Sequence, residues 1–262
     1  MTSSTAAKPA GARRVWYASY GSNMRSARFR CYLAGGRPEG AARTYPGCRD
    51  PRPPAASALL RLSGALYFAA ESEVWTGGMA FYDPDAPDLP GGPDAPDTYN
   101  GPGHAHRAHA PDDAHAPGAG LGAASGGASG RVLVRAHLIT AEQFSDVVAQ
   151  EMHRAPGTGP HPDIDLAEVL AAGRVRLGDG RYETLVHPGD HEGVPVVTFT
   201  APWGVRDVAA NPPSPAYLAQ IAGGLVEAGA GDPLTVAHYL ARWPGVAGHW
   251  KVADIAALVR LS

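Results

Sequence analysis

The sequence predicts an α+β fold, with many strands and single helices interspersed among them. Three observations predict it. Apolar and aromatic runs bounded by turn formers recur along the chain. Helical spacing is confined to a few segments with recognisable caps. No internal repeat organises them.

The first element is an apolar run at 15–19 that flows into Tyr20-Gly21-Ser22-Asn23-Met24, with helical character from about Arg25. A buried strand breaking into a tight polar turn before a helix aims several backbone N–H groups at one point, where an anion or a polarised carbonyl can sit. Gly21 has no side chain, so a ligand can lie against the main chain. Aromatic-rich strands are predicted at 65–69 and 74–82, and a further strand at 131–139. Thr140 is a good N-cap for a helix over 141–152, with Phe144, Val147, Val148 and Met152 at helical spacing. A short helix follows over 163–172 and ends at Gly173. Segments 182–187 and 194–200 flank turn formers at 188–193 and predict a hairpin. Ser214-Pro215 opens a helix with Ser as N-cap and Pro at N1, ending near Gly229. Asp232-Pro233 starts another to Arg242, and 251–261 is the last.

Composition bounds the function. The chain has 262 residues, 44% of them apolar, enough for a real core in one large domain or one domain with an insertion. A net charge of −3 supplies no basic field for nucleic acid or acidic membranes. Residues 1–12 are small and polar and are expected to be a disordered N-terminus; they lack the apolar core of a signal peptide. No run reaches the ~18 apolar residues of a membrane span, so a cytoplasmic protein is expected. Cys31 and Cys48 fit neither a metal knuckle nor a redox pair. The run 83–130 is rich in Pro, Asp, His, Gly and Ala, has almost no large apolar side chains, and reads as a mobile insertion within one domain spanning 13–262. His104, His106, His109 and His115 within it lack the acidic or thiolate company of a metal site. His187 and His191 are predicted to span a hairpin turn rather than to chelate. The Gly-rich stretch 118–130 lacks a P-loop lysine.

Residues 17–24, Tyr-Ala-Ser-Tyr-Gly-Ser-Asn-Met, resemble the strand and turn that mark the gamma-glutamylcyclotransferase-like family. Segment 138–152 resembles that family's strand and helix ending in a catalytic glutamate, here Glu151. Tyr182 resembles a recurrent family tyrosine, and Pro213-Ser214-Pro215-Ala216-Tyr217 a late helix start, all in the family's order. The fold implied is a small, mostly antiparallel β-barrel flanked by helices. Val148 stands where the family often has Asp and Met152 where it has Gly, and these departures, with Phe199 where the family often has Tyr, motivate a non-catalytic alternative; the Phe199 replacement also implies a substrate preference different from the glutathione-related members.

The activity implied is cyclisation of a γ-glutamyl amine, amide or peptide to 5-oxoproline with release of the amine. The substrate's own amine attacks its γ-carbonyl. One carboxylate near both nitrogens can take the proton from one and give it to the other. Glu151 is the general acid/base expected, with Tyr20, Gly21, Ser22, Asn23, Tyr182 and Tyr217 binding the small γ-glutamyl substrate. Glu142, the competing acid, is explained as a complement to the dipole of its helix's first turn. No metal or organic cofactor is required. The protein is expected as a monomer or homodimer. A non-catalytic small-molecule-binding module of the same fold is the alternative. A Ser22 hydrolase is a third reading, and it lacks the Gly-x-Ser-x-Gly elbow.

Overall fold

The computed structural model describes residues 13–38, 43–86 and 131–260. Residues 1–12 and 87–130, the latter nearly all of the expected insertion with its four histidines, lie outside the described residues. The architecture is mixed α+β. The strands are β1 (Arg14–Ser19), β2 (Ala56–Ser63), β3 (Ala65–Ala69), β4 (Met79–Asp83), β5 (Arg131–Thr140), β6 (Arg174–Arg176), β7 (Thr184–His191) and β8 (Val194–Thr200). The helices are α1 (Ser26–Ala34), α2 (Ala141–Glu151), α3 (Ala167–Ala172), α4 (Pro215–Glu227), α5 (Pro233–Ala241) and α6 (Val252–Arg260).

One six-stranded sheet has the order β2-β5-β1-β8-β7-β6, and β3 pairs with β4 in a separate two-stranded sheet. Every pairing is antiparallel except β1 with β8. The expected barrel is corrected here: among the described residues the sheet stays open, with β2 and β6 as its edges. Those edges are poor partners for closure. Leu62 is the one fully buried side chain of β2, and β6 is three residues long.

The sheet's centre is buried on both faces, which is why β1 reads as a continuous apolar run. Trp16 and Ala18 of β1 join Val132, Val134 and Ala136 of β5 and Val196 of β8 in a core beneath α4, α5 and α6. Val15 and Tyr17 point the other way, into a core with Ile139, Val197 and residues of α1, α2 and α3. Alternation across a pleated strand sends neighbours to opposite layers.

Four expectations shift. Segment 74–82 becomes strand only from Met79, because Thr76 and Gly77 take φ of 60° and 67°, which a strand cannot carry. The helix predicted from 163 begins at Ala167. The hairpin reverses at Glu192-Gly193, both at positive φ, so β7 runs on to His191 through a bulge between Val186 and Gly189. Strands β2 and β6 were not expected.

The segment that positions Glu151 is β5 followed at once by α2. Thr140 ends the strand and caps the helix. Its Oγ1 accepts from Gln143 N at 3.1 Å while Gln143 Oε1 accepts from Thr140 N at 3.0 Å. Such a reciprocal box is worth about 1 kcal/mol. Helix α2 is then pinned by its own buried polar groups. Asp146, fully buried, accepts from Arg49 N at 2.8 Å and pairs with the Arg49 guanidinium at 2.9 Å. Gln150 Nε2 donates to Tyr32 O at 2.9 Å, tying α2 to α1.

A candidate active site at the end of the first strand

Where β1 runs out, residues Ser22–Met24 form one 3-10 turn before α1. Met24 N donates to Gly21 O and Arg25 N to Ser22 O, each at 3.1 Å. The N–H groups of Gly21, Ser22 and Asn23 open the turn and have no acceptor within it. Gly21 has φ −107°, ordinary extended backbone, so its glycine identity answers to space. A Cβ there would stand 3.2 Å from Tyr217 Oη.

Glu151, the last residue of α2, faces this turn. A recess of about 40 Å³ is lined by Tyr20, Gly21, Ser22, Asn23, Glu151, Tyr182 and Tyr217, together with Tyr17 and Phe199. All seven residues expected at the site from sequence are thus brought to one cavity. Ser22, Glu151, Tyr182 and Tyr217 also line an adjoining outer cleft of about 240 Å³.

Glu151 is half-buried as a residue, while its carboxyl group lies deep among side chains. Asn23 Nδ2 donates to Oε1 at 2.8 Å. Burial pushes the carboxyl pKa above its ordinary value; the Arg28 guanidinium and hydrogen bonding from Tyr32 and Asn23 pull part of the way back. Such an acid gives up and takes back a proton more readily near neutrality than an exposed glutamate does.

The tyrosines are held by main chain. Tyr20 Oη donates to Phe199 O at 2.7 Å, so its hydroxyl orients the turn against β8 and its ring forms the wall. Tyr182 sits just before β7, rather than opening it as expected, and Tyr182 Oη donates to Ala80 O at 3.2 Å. Tyr217 Oη accepts from Ala80 N at 3.2 Å, and its own proton has no acceptor among the described residues. Burial raises the pKa of all three phenols, keeping them neutral donors. Ser22 Oγ accepts from Arg28 Nε at 2.8 Å. A guanidinium is a donor and not a base, so this contact does nothing to activate the hydroxyl as a nucleophile.

The departures take structural places. Val148 is buried against α1 and β8 residues, Met152 lines the outer cleft, and Phe199 stacks on Tyr17 with centroids 5.3 Å apart. His187 pairs with Asp190 at 3.0 Å, and His191 packs edge-on against Trp16. Among the described residues no three of His, Cys, Asp and Glu gather as metal ligands, and no helix is long and apolar enough to cross a membrane.

Sequence reasoning missed Arg28, Tyr32, Tyr45 and Trp75, which wall the outer cleft. One signal was available. Arg28 and Tyr32 are four apart on α1, so a cation shares the helix face of buried aromatics, the wrong face unless something holds it.

No family model matches the chain. Histone deacetylase 5 of Arabidopsis thaliana is 27% identical over 238 residues, covering 82% of this chain and 28% of that protein. The chain therefore spans under a third of that relative's length. Among solved structures, a gamma-glutamyl cyclotransferase is similar at 14% identity and a TM-score of 0.41, with 94% of this chain and 99% of that one covered. An uncharacterized human protein solved by ensemble refinement is similar at 15% identity and a TM-score of 0.40, with the same coverage.

Proposed function

We propose that this chain cyclises a γ-glutamyl amine, amide or peptide, releasing 5-oxoproline and the amine. The observation that carries the reading is the buried Glu151 carboxyl opening on the same recess as the Gly21–Ser22 turn, joined to it by Asn23. The resemblance of residues 17–24 and 138–152 to the gamma-glutamylcyclotransferase-like family supports it independently.

The reaction forms a bond between the substrate's α-nitrogen and its γ-carbonyl carbon, and breaks the bond to the leaving nitrogen. Ionised Glu151 takes the proton of the attacking amine. The tetrahedral oxyanion is met by the turn's unpaired N–H groups. Glu151 then returns its proton to the leaving nitrogen, so the carboxylate is regenerated. The walls of Tyr17, Tyr20, Phe199 and Tyr217 hold the flexible glutamyl chain in a ring-like conformation, which makes the attack intramolecular in geometry as well as in connectivity.

The test is release of 5-oxoproline from a panel of γ-glutamyl compounds, with Glu151→Gln as the control. Release that survives unchanged in the control removes Glu151 from the mechanism. Ligand-dependent melting shifts without any release from the wild-type chain would instead establish a non-catalytic binding module.

A further inference from the structure

The turn after β1 does not run on into α1. Arg25 between them is extended, with φ −71° and ψ 121°, so helical hydrogen bonding restarts behind it. The first backbone bond into α1 is Phe29 N to Arg25 O at 3.0 Å. Among the described residues no backbone N–H reaches the carbonyls of Asn23 and Met24, although both residues are buried. Buried carbonyls need a donor from somewhere.

Two side chains of β5 supply it. Arg135 Nη1 donates to Met24 O at 3.0 Å and His137 Nε2 to Asn23 O at 3.2 Å. Residues two apart on a strand share a face, so the pair meets consecutive carbonyls. A carbonyl only accepts, which puts the ring proton on Nε2 and leaves Nδ1 to accept from Ser57 Oγ at 3.0 Å. Burial, with the ring stacked on Phe29, keeps His137 neutral, as this arrangement requires. Arg135 is locked in its turn. Nη1 also donates to Glu227 Oε2 at 2.9 Å, and Glu227 accepts from Arg25 Nη1 at 2.9 Å and from Ser26 N and Oγ at 3.0 Å each. Helix α4 closes another side: a Cβ on Gly224 would stand 2.6 Å from Met24 C. The intervening and neighbouring β5 residues, Val134, Ala136 and Ile139, are buried and apolar. A histidine 2% exposed costs desolvation that a valine would not, and its hydrogen bond goes to the turn.

We propose that Arg135 and His137 are positioning residues. Holding the back of the turn, they aim its opening N–H groups, and the Asn23 side chain that reaches Glu151, into the recess before a ligand arrives. This rests on the cyclisation reading. Donors fixed in advance need no reorganisation as the oxyanion forms. A displacement of about 1 Å at such a site costs roughly 10²-fold in rate.

The test crosses packing against hydrogen bonding. His137→Phe keeps a ring against Phe29 and removes the donor. His137→Gln loses the ring and keeps a donor at the reach of Nε2. The substrate is the better of γ-glutamyl-alanine and γ-glutamyl-ethylamide. In the phenylalanine variant kcat for 5-oxoproline release should fall roughly 10–10²-fold, with KM changed less than about threefold. The glutamine variant should recover most of that loss although it melts below wild type. A role in packing alone predicts the reverse order. Arg135→Met should lower kcat likewise, with Arg135→Lys above it. A long-range proton–nitrogen spectrum of the wild-type chain should show the Nε2–H tautomer, whichever variants fold. An Nδ1–H ring, or a kcat in the phenylalanine variant at or above that of the glutamine variant, overturns the positioning role and leaves the cyclisation standing. A wild-type chain that releases no 5-oxoproline from any γ-glutamyl compound removes the reaction and the role together.

Discussion

Asn23 Nδ2 donates to Glu151 Oε1 at 2.8 Å, joining residues 128 apart in the chain. The bond ties the turn after β1 to the end of α2, and it favours the ionised carboxyl against the burial that opposes it. Asn23→Ala removes that support. The Glu151 pKa then rises further, so the acid limb of kcat/KM moves to higher pH. A hydrogen bond to a charged group implies a loss of roughly tenfold on the acidic side and less on the alkaline side. The check is a pH profile of 5-oxoproline release. A parallel fall at every pH would mean that Asn23 acts only in binding.

Glu151→Gln exchanges activity for stability. Loss of the proton carrier should lower release by roughly 10²–10⁴-fold. The carboxyl's raised pKa means the folded chain holds this proton more tightly than the unfolded one. The wild-type stability contribution is therefore full below the unfolded value of about 4.3 and is lost as pH rises through the folded value. The glutamine variant should be more stable than wild type at neutral pH, and the advantage should shrink as pH falls below that window. Denaturant unfolding across pH reads both limbs.

Much of this arrangement was legible before any coordinates. β1 and its turn, the N-cap at Thr140, and the Ser214-Pro215 and Asp232-Pro233 helix starts are local signals, and each sits where the sequence puts it. What stayed illegible depends on distant partners. β2 alternates weakly because it is an edge strand with little to bury. Segment 74–78 has strand-forming residues, yet Gly78 leaves no room for a side chain beside Asn211 O, and Gly77 is pressed against Pro212 O. That crowding fixes a turn, and the turn carries Trp75 to the cleft. Arg28 was missed for the same reason. Its partners Tyr45 and Trp75 come from segments that local pattern does not bring to α1.

Gly21→Ala tests the recess by volume. The backbone accepts alanine, since φ is −107°. The added Cβ would stand 3.2 Å from Tyr217 Oη and 4.0 Å from Ala80 Cβ, so one phenol must give by a few tenths of an ångström. Folding should cost under about 1 kcal/mol, while KM should rise severalfold as the main chain is screened from the ligand. Tyr217→Phe alone leaves Ala80 N–H without its 3.2 Å acceptor and should cost about 1–3 kcal/mol. The double variant should regain part of the KM loss if the clash with Tyr217 is its cause. Additive KM effects would place the damage in the turn itself.

His137 lies behind the site, against the backbone of Asn23, and should make folding acid-sensitive. Its Nε2 donates to Asn23 O at 3.2 Å, leaving Nδ1 to accept from Ser57 Oγ at 3.0 Å, and the ring stacks on Phe29 at 4.2 Å. Burial, with the nearby Arg135 charge, pushes its pKa down to about 3, so the folded chain keeps it neutral. An unfolded histidine titrates near 6.5. The unfolded state therefore binds the extra proton first, and stability is full above about 6.5 and lost as pH falls toward 3. A loss of a few kcal/mol over that window is expected in denaturant unfolding. His137→Gln should flatten the slope there while lowering stability at neutral pH, because the ring's packing goes with the titration. The two buried groups slope oppositely, His137 losing stability as pH falls and Glu151 as pH rises. Combining His137→Gln with Glu151→Gln should leave the least pH-dependent chain of the four, and a slope as steep as wild type in that pair would assign the acid sensitivity to other groups.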